Sequence, residues 1–391
     1  MRVVGLFAGI GGIEEGFRRT YRDRSETLLL SEVWEPAQVV LRDRFAGAPL
    51  HPDVRDFDSL PRGTELLSAG FPCTDLSQAG RTAGIKGDQS GLVSHVFAAL
   101  ERSKRRGQRL PWLLIENVSN MLVLDGGDAM SYLVRELERL GYSWAYRTVD
   151  SRFTGVPQRR RRVILLASVD SDPGAVLFAD DAGDPHDDRY RPNAYGFYWT
   201  EGLRGLGWAV DAIPTLKGGS TLGIPSPPAI WVPSADVGRK LLWPTISDAE
   251  KFQGFPEGWT LSTSDGRRDG DRWKLVGNAV TVGVSEWVAE RIREPGSDQA
   301  AREPITKGWP RAGAGSRGKK EAVRVSEFPI HAPYTHLLDL VDVEALPPMS
   351  LRATRGFLNR LTRGNLGRFP GFREDVAEHA RVLEEMGSAI A

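Results

Sequence analysis

Cysteine is almost absent from this sequence: Cys73 is the only one in 391 residues. A single thiol excludes an internal disulfide and a cysteine-rich zinc site, and we predict no metal site. A free thiol fits a reducing compartment, so we expect a cytoplasmic protein. A lone cysteine is more often a small buried hydrophobe than a reactive group, although its thiolate is a good nucleophile near neutral pH. Cys73 alone therefore favours the inert interpretation.

The sequence also lacks an excess charge and a long apolar run. Lys plus Arg and Asp plus Glu both number 51, so any surface that binds nucleic acid must be local. No apolar run is long enough to cross a bilayer, and the first one, residues 3–7, leads into a glycine loop and not into a secretory signal. We therefore expect no membrane partner, and the length allows two or three domains.

The first half of the chain alternates short apolar runs with helical patterns, which predicts a parallel sheet with crossover helices. The predicted strands are 3–7, 27–33, 66–68, 112–115, 143–149 and 163–167. The predicted helices are 12–21, 37–45, 92–102 and 129–140. We therefore predict an α/β fold.

The pattern changes after residue 168. Gly, Pro, Asp and aromatics without helical period fill 170–240, which predicts an irregular, mostly β segment, and helical patterns return at 247–252 and 280–293. We predict an α/β domain of 1–168 and 241–295, a small β-rich domain over 169–240, a linker over 296–334, and a helical C-terminal extension over 335–391.

The first motif is a glycine loop between a strand and a helix, with the sequence FAGIGG at 7–12. Glycines let a ligand approach the backbone, and a helix N-terminus offers free N–H groups. Glu32, at the end of the next strand, could accept hydrogen bonds from ribose hydroxyls, and Asp53 from an adenine amino group. The spacing is not G-x-G-x-x-G, so the loop alone leaves a nucleotide-like cofactor and a plain tight turn equally open.

Four further motifs carry side chains suited to chemistry. Cys73 ends the motif GFPC and precedes a polar, glycine-rich stretch, 74–91, that suits a mobile lid. Glu116 begins ENV at a strand end, the edge where open α/β sheets bind ligands. In the extended segment 158–162, the residues Gln158, Arg160 and Arg162 point to the same side. GNAV, at 277–280, opens a late helix.

Each motif has an ordinary structural explanation, but their order and spacing resemble the C5-cytosine DNA methyltransferases over residues 1–168 and 210–293. The motifs that carry the resemblance are LFAGIGG at 6–12, GFPC at 70–73, ENV at 116–118, Q-x-R-x-R at 158–162, FQGFP at 252–256 and GNAV at 277–280. The family implies a Rossmann-like S-adenosylmethionine-dependent methyltransferase domain, with a target-recognition domain at 169–240. It implies S-adenosylmethionine as cofactor and double-stranded DNA as partner. We also expect a monomer in a bacterial restriction–modification system, with a cognate restriction endonuclease acting on the same site.

The resemblance assigns the chemistry to four residues. Cytosine C5 is a poor nucleophile, and the thiolate of Cys73 would add to C6 and push electron density onto C5. Glu116 would protonate or hydrogen-bond N3, so that negative charge does not build up in the ring. Arg162 would hold the cytosine O2, and Arg160 would orient Cys73 or the base.

Two larger sets of residues follow from the same resemblance. Cofactor binding is predicted for Phe7, Ala8, Gly9, Gly11, Gly12, Glu32, Val33, Asp53, Val54, Pro72, Asn278, Ala279 and Val280. DNA binding is predicted for Ser77, Gln78, Arg81, Arg204, Thr215, Lys217 and Gly218. Val33 stands where the family often has an aromatic that stacks on adenine, and Trp34 follows it.

Duplex DNA hides the target carbon in the base stack, so the enzyme must flip the nucleotide out. Lys217 and Arg204 could read base edges, or could belong to ordinary surface loops. Salt-sensitive affinity is expected from two basic patches, 104–106 and Arg159 with Arg161. The stretch 351–368 has five arginines and no acid, which suits either DNA contact or a basic helix packed on the body.

Three alternatives remain open at this point. A tRNA cytosine-5 methyltransferase would share the pocket and the nucleophile, but the recognition segment and the basic extension favour DNA. A nucleotide-dependent oxidoreductase would leave Cys73, Glu116 and Arg162 unexplained. A catalytically inactive DNA-binding module would not need Cys73 and Glu116 intact.

Overall fold

The computed structural model of the protein describes residues 1–71, 91–201, 205–218, 227–264 and 269–390. Its strands are β1 (Arg2–Leu6), β2 (Glu26–Ser31), β3 (Leu50–His51), β4 (Leu66–Ala69), β5 (Trp112–Val118), β6 (Ser143–Asp150), β7 (Gln158–Arg159), β8 (Arg161–Ser168), β9 (Tyr195–Glu201), β10 (Gly205–Val210), β11 (Ile213–Pro214), β12 (Ala229–Trp231), β13 (Leu241–Leu242), β14 (Arg302–Pro304), β15 (Ala312–Ser316) and β16 (Lys319–Val323). Its α-helices are α1 (Gly12–Tyr21), α2 (Glu35–Arg44), α3 (Leu92–Arg105), α4 (Asp128–Leu140), α5 (Gly174–Leu177), α6 (Ile246–Phe252), α7 (Gly270–Asn278), α8 (Val282–Arg293), α9 (Leu337–Leu340), α10 (Leu351–Gly364) and α11 (Phe372–Ile390).

The larger sheet has ten strands in the order β14-β16-β15-β6-β8-β5-β4-β1-β2-β3. β1 pairs in parallel with β2 and with β4, and β4 pairs in parallel with β5. All six predicted strands are present, and the predicted α/β fold is confirmed. The sheet is mixed and not parallel throughout, because β8 pairs antiparallel with β5 and with β6. Because parallel strands end at the same edge, the loops that follow β1, β2, β4 and β5 meet there.

Both faces of this sheet are buried. Leu67, Leu113 and Leu165 belong to the hydrophobic cluster on one face, and Leu66 and Leu114 belong to the cluster on the other. Neighbouring residues face opposite ways in a strand, which is why these strands read as continuous apolar runs. Helix α8, from late in the chain, packs on α1 across this second face and completes the N-terminal unit.

Residues 296–334 are not the linker that their composition predicts. β15 pairs antiparallel with β6, and β16 and β14 continue the sheet outward. A Cβ on Gly313 would lie 3.0 Å from the Tyr146 ring, and one on Gly315 would lie 2.6 Å from the Trp144 ring. Glycine therefore lets β15 pack close to two large aromatics, whereas in the sequence the same glycines resemble loop residues.

A second, antiparallel sheet has the order β10-β9-β12-β13. Phe197 and Trp231 of this sheet share a hydrophobic cluster with Phe357 and Leu361 of α10 and Phe372 of α11. Part of the segment predicted to recognise DNA and part of the C-terminal extension thus have a common core. In the described ranges, no helix has the length and apolar character needed to cross a membrane.

Candidate active site

A cavity of about 680 Å³ opens at the edge where the parallel strands end. Residues from the glycine loop, from the ends of β2 and β5, and from the motifs at 158–162 and 277–280 line it together. The lining includes the predicted site residues Phe7, Gly9, Glu32, Val33, Asp53, Val54, Glu116, Arg160, Arg162 and Asn278. A cavity of this size suits a nucleoside-sized ligand.

The glycine loop forms one wall of the cavity. Gly9 and Gly11 have φ angles of 56° and 80°, in the left-handed region that favours glycine. A Cβ on Gly12 would lie 2.4 Å from the carbonyl oxygen of Val280, so the loop packs directly on the GNAV segment. The first and last motifs of the sequence are therefore in contact.

Glu32 is held rigidly beside this loop. One carboxylate oxygen accepts from the Gly9 N–H and the other from the Trp34 N–H, each at 2.9 Å. Burial raises the pKa of the Glu32 carboxyl above its ordinary value. Each carboxylate oxygen can accept a second hydrogen bond, so Glu32 keeps the capacity to bind ribose hydroxyls.

The predicted adenine contacts look different in the structure. Asp53 forms a bidentate ion pair with Arg55, and the hydrogen bonds from Arg55 lower the pKa of Asp53 to about 2. Val33 is 67% exposed at the cavity rim. Trp34 also lines the cavity, and the Lys274 ammonium lies 4.3 Å from its ring centre. The aromatic surface at this end therefore comes from Trp34.

Glu116 and Arg162 lie together at the other end of the cavity. Arg162 Nε lies 2.9 Å from Glu116 Oε1, and both side chains are largely buried. Burial lowers the pKa of Arg162, and the Glu116 carboxylate partly offsets that effect. The neighbouring Asn117 donates to the Phe71 carbonyl oxygen at 3.0 Å, which ties β5 to the chain just before Pro72.

Arg160 lines the cavity and also makes contacts that the sequence did not predict. It is 1% exposed, and its guanidinium donates to the carbonyl oxygens of Leu216 at 3.0 Å, Gly277 at 3.3 Å and Ala279 at 2.7 Å. Burial lowers its pKa strongly. The guanidinium therefore links the loop at Leu216 to the segment 277–279, and we call this set of contacts the brace.

Two buried glutamines, Gln158 and Gln253, complete this brace, and the sequence pattern predicts a role for neither. Gln158 donates to the Phe252 carbonyl oxygen at 2.9 Å and accepts from the Leu216 N–H at 3.0 Å. Gln253 donates to the Val276 carbonyl oxygen at 2.9 Å. A glutamine has both a donor and an acceptor, so it can link two backbone segments. The FQGFP motif thus supports the site without lining it.

Comparison with known proteins identifies the family. Residues 1–178 match the model for C-5 cytosine-specific DNA methylase. The chain is 47% identical to Type II methyltransferase M2.BsuMI of Bacillus subtilis (strain 168), over 93% of this chain and 94% of that one. It is 35% identical to Type II methyltransferase M.BanI of Aneurinibacillus aneurinilyticus, over 48% of this chain and 43% of that one.

The chain belongs to the C-5 cytosine-specific DNA methylase family. It is a DNA (cytosine-5-)-methyltransferase. Its fold is similar to that of the crystal structure of S. pombe Dnmt2 methyltransferase, with a TM-score of 0.53 and 16% identity over 75% of this chain and 98% of that one.

In the methylase, the loop predicted to bind DNA, residues 215–218, lies directly on the GNAV motif predicted to bind the cofactor. Thr215 Oγ1 donates to the Arg159 carbonyl oxygen at 2.8 Å, and the Lys217 ammonium lies 4.5 Å from the Tyr198 ring centre. A Cβ on Gly218 would lie 2.2 Å from Asn278 Oδ1. No larger residue fits at 218 without moving the cofactor motif.

The two predicted phosphate-binding patches of the methylase are not free basic surfaces. Residues 104–106 lie at the C-terminal end of α3, where Arg105 pairs with Glu101 and Arg106 pairs with Asp58. Arg161 pairs with Glu327 at 2.6 Å. The sequence showed the cations but not the partners that the fold brings to them.

Several predicted site residues lie outside the described residues. They are Pro72, Cys73, Ser77, Gln78, Arg81 and Arg204. Within the described ranges, no group of three or more His, Asp or Glu side chains is arranged to hold a metal ion.

Because Arg160 makes these contacts, we predict that Arg160→Lys strongly lowers the stability of the protein. Arg160 reaches these carbonyl groups from two nitrogens, Nη1 and Nη2, whereas the single ammonium nitrogen of lysine cannot occupy both positions. Each buried carbonyl left without a donor costs about 1–3 kcal/mol. We expect the free energy of unfolding in urea to fall by about 2 kcal/mol or more. Arg161→Lys is the matched control, because that side chain is half exposed and lysine keeps its charge beside Glu327. Equal stability of the two variants would contradict the brace.

Proposed function

We propose that this enzyme methylates C5 of a flipped cytosine in a specific sequence of duplex DNA, through a covalent bond between Cys73 and C6. The observation that carries the proposal is the Glu116–Arg162 pair, at 2.9 Å, in the same cavity as the glycine loop and Glu32. One end of the cavity suits a nucleoside and the other offers a carboxyl group beside a guanidinium. A cytosine presents N3 and O2 side by side to such a pair.

The residues present fit S-adenosylmethionine as cofactor. Space around Gly9 is open, since a Cβ there would meet nothing within 4 Å, and Glu32 stands beside it to receive ribose hydroxyls. Trp34 offers an aromatic surface for adenine, and Asn278 closes the opposite wall. When bound, the cofactor supplies the methyl group that C5 attacks.

The protein groups then divide the work on the cytosine. The Cys73 thiolate forms a bond to C6, and the electron pair of the C5–C6 double bond becomes available at C5. Glu116, in its acid form, donates to N3, and Arg162 donates to O2, so the charge that develops in the ring is stabilised in a site largely shielded from water. Loss of the C5 proton and expulsion of the thiolate restore the ring and release Cys73.

Duplex DNA is the proposed substrate in preference to tRNA. The supporting observation is 47% identity, over nearly the whole of both chains, to a protein named a Type II methyltransferase. We propose the same restriction–modification setting, in which a cognate endonuclease cuts the site that this monomeric enzyme protects. An inactive module is disfavoured because Glu116 and Arg162 are both in place in the cavity.

Target recognition is proposed for residues 169–240, with Lys217 and Arg204 as the readers of base edges. The loop with Thr215, Lys217 and Gly218 supports this assignment, since it lies against Asn278 and so beside the cavity that would receive the flipped base. A duplex held by this loop would have its target nucleotide within reach of Glu116.

Cys73→Ser is expected to abolish both turnover and trapping on DNA that contains 5-fluorocytosine. Fluorine at C5 blocks the elimination, so the native enzyme should remain covalently attached and migrate as a stable complex in a denaturing gel. The variant should still bind S-adenosylhomocysteine in calorimetry, which serves as the control for folding. Normal trapping by the serine variant would contradict the role of Cys73.

Glu116→Gln should lower kcat by at least about two orders of magnitude, which is the usual contribution of a general acid. The amide keeps the size of the side chain but cannot give up a proton to N3. DNA affinity should stay close to that of the native enzyme, because the effect belongs to the transition state. Glu101→Gln, on α3, is the control and should leave kcat unchanged. A near-native kcat for Glu116→Gln would count against the assignment.

A further inference from the structure

A second, much smaller cavity of about 40 Å³ adjoins the main one. Phe7, Gly9, Gly70, Glu116 and Asn278 line both cavities, so the small one is an inner extension of the large one. Its remaining polar lining comes from two buried side chains that have no place in the chemistry described so far, Glu14 and Ser68.

Glu14 is an acid buried beneath the glycine loop. It lies in the first turn of α1 and is 2% exposed. Ser68 Oγ donates to its Oε1 at 2.6 Å, whereas Oε2 has no hydrogen-bond partner among the described residues. Burial raises the pKa of the Glu14 carboxyl. A buried carboxyl oxygen without a donor is costly, so this atom calls for a partner that the described part of the chain does not provide.

The chain makes room for this carboxyl group. A Cβ on Gly5 would lie 2.3 Å from Glu14 Oε1, so any side chain at position 5 would displace it. Gly5 lies within β1, where a glycine lowers the stability of the strand. Its φ angle is not positive, so the backbone conformation does not require a glycine there. The glycine in β1 and the acid in α1 thus form one arrangement, in which Glu14 lines the small cavity.

The size of the small cavity limits what can meet Glu14. About 40 Å³ holds one group the size of a water molecule, and excludes a sugar or a base. The partner must donate hydrogen bonds, because Oε2 can only accept when the carboxyl group is ionised. An ammonium group meets both conditions, and its charge would offset the cost of ionising a buried acid.

The proposed binding mode of the cofactor brings such a group to this place. Its ribose lies at Glu32, and its methyl group must reach a cytosine held at Glu116. The methionyl end then lies between the glycine loop and Asn278, where the small cavity opens. We propose that Glu14 Oε2 accepts a hydrogen bond from the α-ammonium group of the methionyl end of S-adenosylmethionine. This inference rests on the proposed function of the cavity.

Calorimetry with two ligands tests the proposed contact between Glu14 and the α-ammonium group. S-adenosylhomocysteine and its α-deamino analogue differ only in the ammonium group, and both are measured with the native enzyme and with Glu14→Gln. The native enzyme should bind S-adenosylhomocysteine at least about tenfold more tightly than the analogue, which corresponds to about 1.4 kcal/mol. Glu14→Gln should reduce this ratio to about twofold or less, while it leaves the affinity for the analogue nearly unchanged.

Two further variants separate this role from a general effect on the site. Glu15→Gln changes the neighbouring acid, which pairs with Arg18 and Arg19 away from the cavity, and should keep the native ratio. Glu32→Ala should weaken both ligands alike, because both contain the ribose.

The outcomes are distinct. A native enzyme that does not discriminate between the two ligands overturns the inference without recourse to any variant. A Glu14→Gln enzyme that keeps the native ratio of the two affinities also overturns the inference. That result is expected if Glu14 holds only a water molecule. Failure of the native enzyme to bind S-adenosylhomocysteine at all would instead overturn the proposed function.

Discussion

The buried guanidinium of Arg160 holds together segments of the chain that are more than 50 residues apart. It reaches the carbonyl oxygens of Leu216 and of residues 277–279, while the adjacent Gln158 holds the Leu216 N–H. In a low-dielectric interior, hydrogen bonds from a charged donor are strong, and a lost partner is expensive. The wall of the cavity at Asn278, the segment 277–280 and the loop at 215–218 are all held by this small set of contacts.

The same brace holds the loop at 215–218 and the segment 277–280, so the proposed recognition loop and the cavity have fixed relative positions. Gly218 lies against Asn278, and Gly277 lies against the Lys217 backbone, with no space for a side chain at either glycine. A duplex read by the loop at 215–218 would therefore present its flipped base at a fixed distance from Glu116. Catalysis by positioning needs this rigidity, since the donors must already be placed where charge develops.

The sequence predicted the strands and the family because those signals are local. Apolar runs mark the strands of the large sheet, and the residues of each motif are neighbours in the chain. It did not predict the strands at 302–323, because the glycines that let β15 pack on Trp144 and Tyr146 have the composition of a linker. These glycines are distinguished from linker glycines only by contacts with residues distant in the sequence, and composition carries no information about such contacts.

The same limit explains which contacts at the site the sequence did not reveal. Arg160 and Arg162 alternate with Arg159 and Arg161 in one run, and nothing local tells that Arg160 meets three carbonyl groups while Arg162 meets Glu116. Glu14 reads as an ordinary acid in the first turn of a helix, a common surface position. Only the fold shows it enclosed beneath the glycine loop, with one oxygen unpartnered in the described structure.

Hydrogen exchange followed by mass spectrometry tests the central claim, that Arg160 and Gln158 hold the DNA loop and the cofactor motif as one unit. S-adenosylhomocysteine is added to the native protein without DNA, and exchange is compared in segments 212–218 and 275–282. We predict that exchange slows in both segments together, because Arg160 and Gln158 hold them as one unit. Slower exchange in 275–282 with no change in 212–218 would contradict it.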